Sequence, residues 1–120
     1  MIEDWGQIRY FSRHEFGYWN DVEPDEDLVH MLDEARVYAA RPFIITKGGG
    51  IRGPRHEGDD SAHITGHAVD IRCADSTTRW HMLEAIYMVG FKRVGIYDRH
   101  IHLDTDLTKP QNVTWWGKSE

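Results

Sequence analysis

Residues 91–104, FKRVGIYDRHIHLD, decide how this chain folds. Two strand-like pieces, Phe91 to Tyr97 and His100 to Asp104, flank Asp98 and Arg99, which suit a tight hairpin turn. Side chains alternate across a strand, so His100, His102 and Asp104 share one face of the second piece and Ile101 and Leu103 share the other. The same alternation marks Ala68 to Arg72, with Ala68, Asp70 and Arg72 on one face and Val69 and Ile71 opposite. A helix is expected upstream. Pro24 suits its first position, and Asp25, Glu26 and Asp27 place negative charge where the helix dipole favours it. Leu28, Met31, Leu32, Ala35 and Tyr38 then form its apolar face. Pro42 bars continuation, and Phe43 to Thr46 reads as a short buried strand. A second helix begins at a cap from Asp75 or Ser76, presents Trp80, Leu83, Ile86 and Tyr87, and ends at Gly90. The order helix, strand, loop, strand, helix, hairpin predicts an α+β domain, a small, mainly antiparallel sheet with helices packed on one face.

Composition narrows the function classes. The 120 residues suit one domain spanning 1–120. Forty per cent hydrophobic and 12% aromatic residues fit a globular core rather than a disordered chain. The net charge of −6, with no run of Lys or Arg, argues against nucleic acid and against anionic membrane surfaces as partners. No stretch approaches the roughly 18 apolar residues of a membrane span, so no membrane insertion is expected. MIEDWGQIRY, residues 1–10, holds neither a basic leader nor an apolar stretch, so a chain made as a soluble cytoplasmic protein is expected. Cys73 is the one cysteine, which excludes an internal disulfide and a thiolate zinc cluster and suits a small buried apolar residue.

Chemistry concentrates in two places. Eight histidines in this length invite a search for a metal site. The run KGGGIRGPRHEGDD, residues 47–60, is too rich in glycine for a regular element, and a loop of this length in a small domain is usually functional or mobile. It leads to His63, seven residues before Asp70, and the later hairpin carries His100 and His102 on one strand face. Nitrogen and oxygen donors of this kind suit zinc, and a catalytic zinc site takes three protein ligands with one position left open. No helix-borne HExxH motif is present.

Those residues carry a resemblance. Ser61-Ala-His63-Ile-Thr-Gly66-His67-Ala68-Val69-Asp70 resembles the SxHxxGxAxD motif of the zinc D-alanyl-D-alanine carboxypeptidases and L-alanyl-D-glutamate endopeptidases, the LAS-type metallopeptidases. His100-Ile-His102-Leu-Asp104 is similar to that family's closing HxHxD, and Phe11 to Phe16, FSRHEF, to the FSxxEF opening of its short members. The resemblance implies the hedgehog/D-Ala-D-Ala peptidase fold, one zinc ion on His63, Asp70 and His102, and hydrolysis of peptidoglycan stem peptides by a carboxypeptidase or endopeptidase. It implies that Arg52, in GIRGP where the family has GYRSP, binds a substrate carboxylate or stabilises an oxyanion, and that Ser61 positions substrate or orders the loop. Zinc makes water nucleophilic near neutral pH, and a nearby base must take its proton. Many relatives hold Glu or Asp three residues before the last zinc His; here that residue is Arg99, so the base is Asp98 or His100.

The expected setting is a monomeric enzyme, without nucleic-acid partners, acting on the cell wall, as a phage or prophage lysis enzyme would. The alternative is a non-catalytic zinc-containing binding module of the same fold, as hedgehog signalling domains are. His67 is expected to be a loop or sheet-surface residue, Asp104 to orient an imidazole, and Glu15 to cap or pin the N-terminal segment. Trp115 and Trp116 are expected to cover the core edge, with stacking on substrate as the alternative.

Overall fold

A computed structural model describes residues 1–118. Two 3-10 turns, Trp5–Gln7 and Arg13–Phe16, precede helix α1, Glu26–Ala39. Strand β1 is Ala68–Arg72, helix α2 Ser76–Met88, β2 Arg93–Ile96, β3 His100–Asp104 and β4 Val113–Trp116. The sheet order is β1-β3-β2-β4, antiparallel except for the parallel β2/β4 pair. The molecule is therefore an α+β fold with a mixed, mostly antiparallel sheet.

Local chemistry explains the boundaries. Asp25 caps α1 by accepting from the Leu28 amide at 3.2 Å, and Asp75 caps α2 by accepting from Thr78 at 2.8 Å. Pro24 lies one residue before the cap instead of at the first helical position, because Asp25 holds the non-helical cap conformation. Ala40 ends α1 in the left-handed region. Glu15 pins the N-terminal turn, accepting from the Ser12 amide at 2.7 Å. The hairpin between β2 and β3 closes on Asp98 and Arg99, with Tyr97 N–H donating to the His100 carbonyl at 3.0 Å.

Val69, Ile71, Val94, Ile101 and Leu103 are fully buried and share one core with Leu28, Leu32, Ala35, Met82, Ala85 and Ile86 of the helices, while α1 and α2 pack on each other. Cys73 is buried in that core as a free thiol. The helix faces differ from the sequence expectation. Tyr38, Trp80 and Tyr87 are exposed, and Val29, Ala39, Met82 and Ala85 take the buried positions. Two helices that approach each other closely are served by small and slender side chains on the facing stripes, and the bulky aromatics turn to the flanks.

Two strand expectations are also corrected. Phe43–Thr46 is not a buried strand: Ile44 is exposed, and the segment makes one bridge, Ile45 to Ile71. Arg72 N–H donates to the Ile44 carbonyl and Thr46 N–H to the Asp70 carbonyl, and then the turn at Gly48, with φ of 72°, carries the chain away. The second correction is β4, an additional strand pairing in parallel with β2. Truncating Ile101 to Ala removes a side chain from the centre of the one core and is expected to cost about 2–5 kcal/mol in urea unfolding.

Candidate metal centre

The face of the sheet away from the core carries the polar half of each strand. Asp70 and His102 stand opposite each other in the β1/β3 register. The Asp70 amide donates to the Gly49 carbonyl at 2.8 Å, and its own carbonyl accepts from Thr46 at 2.9 Å. Both backbone groups therefore point away from β3. Asp70 and His102 form the kind of antiparallel pair that exchanges no backbone bonds and brings side chains closest.

His63 arrives from the loop before β1. Its turn is fixed by Ser61, whose hydroxyl accepts from the His63 amide at 3.3 Å. Gly66, with φ of 80°, fixes its other end, its carbonyl accepting from the Asp25 amide at 2.8 Å. Among the described residues, His63, Asp70 and His102 are the one group of three or more His, Cys, Asp or Glu side chains that could hold a metal ion, with donor atoms all within 4.8 Å of one another.

The hydrogen bonds decide which ring nitrogens are available. His63 Nδ1 lies 2.9 Å from the Gly50 carbonyl, which can only accept, so Nδ1 carries the proton and Nε2 presents a lone pair. His102 Nε2 lies 2.7 Å from Asp104 Oδ2, which leaves Nδ1 facing Asp70. His63 Nε2 and His102 Nδ1 stand 3.4 and 3.0 Å from Asp70 Oδ1. Donors 2.0–2.1 Å from a tetrahedral ion lie about 3.3 Å apart, so the observed separations fit one ion. Each imidazole's second nitrogen already has the backbone or carboxylate acceptor that metal-ligating histidines require. Asp104 is itself held by Arg93 Nε at 2.6 Å and by the Asp106 amide at 3.1 Å.

The charges follow from this arrangement. Burial pushes Asp70 up, but hydrogen bonds and charge from His102 and His63 outweigh it and hold the carboxylate well below its ordinary range. Burial pushes His102 down, yet Asp104 and Asp70 together raise it above the usual imidazole value. His100, 3.8 Å from Asp70 through Nε2, is pushed down chiefly by burial.

The donors open into a cleft of about 480 Å³. Among the described residues, Lys47, Arg52, Arg55, Arg99 and Lys118 line it, with Asp70 as the one carboxylate, although the whole chain carries −6. Of the residues expected from sequence, Arg52, Ser61 and His100 also line this cleft. Arg52 is braced by Asp59 at 3.1 Å and by the Gly53 carbonyl at 3.0 Å. Asp98 is exposed on the hairpin turn and is not among the cleft residues; its carbonyl accepts from Arg79 at 3.1 Å. His67 is half-buried, 3.8 Å from Asp25, in a larger hollow of about 550 Å³ on the other side of the 59–67 loop.

Sequence reasoning missed several cleft residues. Arg55, Lys47 and Tyr97 have no signal beyond their nearness to motif residues. Trp115 was expected to cover the core edge; instead it lies on the polar face, 5.3 Å from the His102 ring, while Trp116 is exposed. Comparison with protein-family models, with curated proteins and with solved structures finds no match for the chain. No helix is long and apolar enough to cross a membrane.

Titration with zinc is expected to end at one ion per chain. Asp104→Asn should weaken that binding about 10–100-fold, the usual cost of losing a group that orients a ligating histidine. Because the His102 proton occupies the position a metal must take, uptake should release protons near neutral pH. Affinity should fall as pH drops through the raised His102 pKa and level off above it. Calorimetry in buffers of different ionisation enthalpy reads the proton count directly.

Proposed function

We propose that the chain is a zinc-dependent peptidase that hydrolyses peptidoglycan stem peptides, of the LAS-type metallopeptidases its motifs resemble. One observation carries the reading: three metal donors converge on the floor of a cation-lined cleft in an acidic chain. Two nitrogens and one carboxylate oxygen are the donor set of a catalytic zinc rather than a closed structural one, since three protein ligands leave a four-coordinate ion one position for a reactant. Zinc held there supplies Lewis acidity, which makes water nucleophilic near neutral pH and polarises the scissile carbonyl.

The chain's own residues supply the rest. His63, Asp70 and His102 would hold the ion. The Arg52 guanidinium, kept in place by Asp59 and the Gly53 carbonyl, offers a rigid fork to a substrate carboxylate or a developing oxyanion. Arg99, standing where many relatives carry an acid, adds positive charge to the same cleft. That favours substrates ending in, or branching to, carboxylates. His100 is the better-placed base: it lines the cleft beside the metal donors, whereas Asp98 does not. Burial holds the His100 pKa down, which suits an imidazole that takes a proton from the attacking water and returns it to the leaving amine. Ser61 serves by holding the His63 turn through its hydroxyl.

Purified peptidoglycan digested by the zinc-loaded protein, with products identified by mass spectrometry, tests the reading. Release of a terminal D-Ala, or of fragments cut between L-Ala and D-Glu, is expected and should vanish in His63→Ala. Intact peptidoglycan after incubation with a protein that holds one zinc would overturn the peptidase and move the weight to a binding module. In the active protein, Arg52→Ala should raise KM about tenfold or more at unchanged zinc content, the worth of one hydrogen bond to a charged group.

A further inference from the structure

We propose that Tyr97 and Trp115 are positioning residues of this centre, fixing the plane of the His100 imidazole so that its Nε2 stays turned toward the metal donors. The inference rests on the peptidase reading for its kinetic arm and on geometry alone for its spectroscopic arm.

The two-residue hairpin turn sets Tyr97 and His100 directly across from each other, and their rings stack 4.4 Å apart at 11°. His100 opens β3, opposite Arg72 of β1 and across the turn from Tyr97. A flat stack permits sliding but opposes tilting. The stack is useful only if Tyr97 is itself fixed, and β4 does that. Trp115 Nε1 donates to the Tyr97 hydroxyl at 3.0 Å, tying the far end of the phenol to the neighbouring strand.

The fold makes room for this arrangement at two glycines. Trp115 pairs with Gly95 in the parallel β2/β4 register, and a side chain at Gly95 would meet the indole at 2.6 Å. Gly95 in turn faces His102 across β2/β3, so the indole lies over the gap beside the ligand imidazole, 5.3 Å from its centroid. A side chain at Gly117 would run into the Tyr97 ring. Arg93, which holds Asp104, also lies 5.1 Å over the Trp115 ring. Thus Trp115 touches both branches of the centre: the Arg93–Asp104–His102 chain and the Tyr97–His100 stack. Trp115 meets the His102 ring and Tyr97 the His100 ring, so both act through the histidines.

The experiment compares Tyr97→Leu, Tyr97→Phe and Trp115→Phe with the unaltered protein. In metal-free protein, the carbon-bound imidazole protons of His100, assigned with His100→Gln, are followed by NMR. They should show the upfield ring-current shift of a stacked ring, lose part of it in Tyr97→Phe and Trp115→Phe, which cut the Trp115–Tyr97 bond but keep the Tyr97 position aromatic, and lose all of it in Tyr97→Leu. Kinetics use a synthetic stem pentapeptide that contains both candidate bonds. At one zinc per chain, Tyr97→Leu should lose about tenfold or more in kcat with KM within about twofold, as misorientation of a reacting group does; the Phe variants should lose less. Unchanged His100 resonances in Tyr97→Leu, or in both Phe variants, overturn the proposal. So does a kcat that falls only in proportion to lost zinc or lost folded protein, the signature of a purely structural pair. An unaltered protein that leaves the pentapeptide intact overturns the peptidase reading instead, and the His100 shifts in the two Phe variants, where the Tyr97 position stays aromatic, then decide the positioning.

Discussion

Two imidazole lone pairs and a carboxylate oxygen aimed at one point repel unless a cation stands between them. In this protein the bonds behind each donor make that arrangement hard to escape. The Gly50 carbonyl commits the His63 proton to Nδ1, and Asp104 commits a His102 proton to Nε2. What remains on the inner side is acceptor against acceptor, with 3.0 and 3.4 Å between the imidazole nitrogens and Asp70. Without metal, a proton on His102, favoured by Asp104 and Asp70, can fill the role; a divalent ion fills it better because all three donors can share it. A centre built this way is preorganised. The energetic cost of assembling like groups is met by the core beneath, not by the ion alone.

The sheet is suited to that task because its two faces do separate work. Val69, Ile71, Ile101 and Leu103 bury completely against the helices, and burial of roughly 1.5–3 kcal/mol per such side chain anchors the strands. Their register then dictates where the alternate residues go: Asp70 opposite His102 opposite Gly95. A slip of one residue would turn every donor into the core and every apolar residue out, so the register is strongly specified. The glycine-rich loop completes the centre by close approach. Gly50 packs onto the Phe16 carbonyl, Ile51 N–H donates to that same carbonyl at 2.6 Å, and the Gly50 carbonyl turns inward to His63. Any side chain at Gly50 would push the loop, and with it the acceptor that sets the His63 tautomer.

Much of this was legible in the sequence because it is local. The bounds of β1 and β3, the two-residue hairpin turn, the Asp75 cap of α2 and the shared face of His100, His102 and Asp104 follow from periodicity and turn chemistry within a few residues. The elements that escaped depend on partners far away. Strand β4 pairs in parallel with β2, so no hairpin turn announces it. The significance of Trp115 lies in Gly95, twenty residues earlier, which leaves space for the indole. The stripe of α2 was misread because Trp80 and Tyr87 outweigh Met82 and Ala85 in hydrophobicity, while the packing against α1 selects for size and shape. Phe43–Thr46 has the composition of a strand, but Gly48 ends its pairing after a single bridge.

The distribution of charge ties the centre to its surroundings. An acidic chain would repel an anionic ligand at long range, yet Lys47, Arg52, Arg55, Arg99 and Lys118 gather around one cleft while acidic residues such as Asp25, Asp60 and Asp106 line the larger hollow behind the 59–67 loop. Ser61 borders both spaces, and the Arg52–Asp59 ion pair stands on the dividing loop. The loop therefore separates two regions of opposite sign a few residues apart, and low-dielectric walls focus such fields into the concave spaces they border. Asp59 does more than balance Arg52: it accepts from the Arg55 and Ser61 amides at 3.0 Å each, so one carboxylate fixes the cleft's guanidinium and the turn that presents His63. Bonds from those amides and from Arg52 hold its carboxyl well below the ordinary carboxylate range. Metal donors and substrate-facing cations thus depend on the same short segment. A substitution there would disturb binding and chemistry together, whereas one in β4 would disturb only the orientation of the histidines.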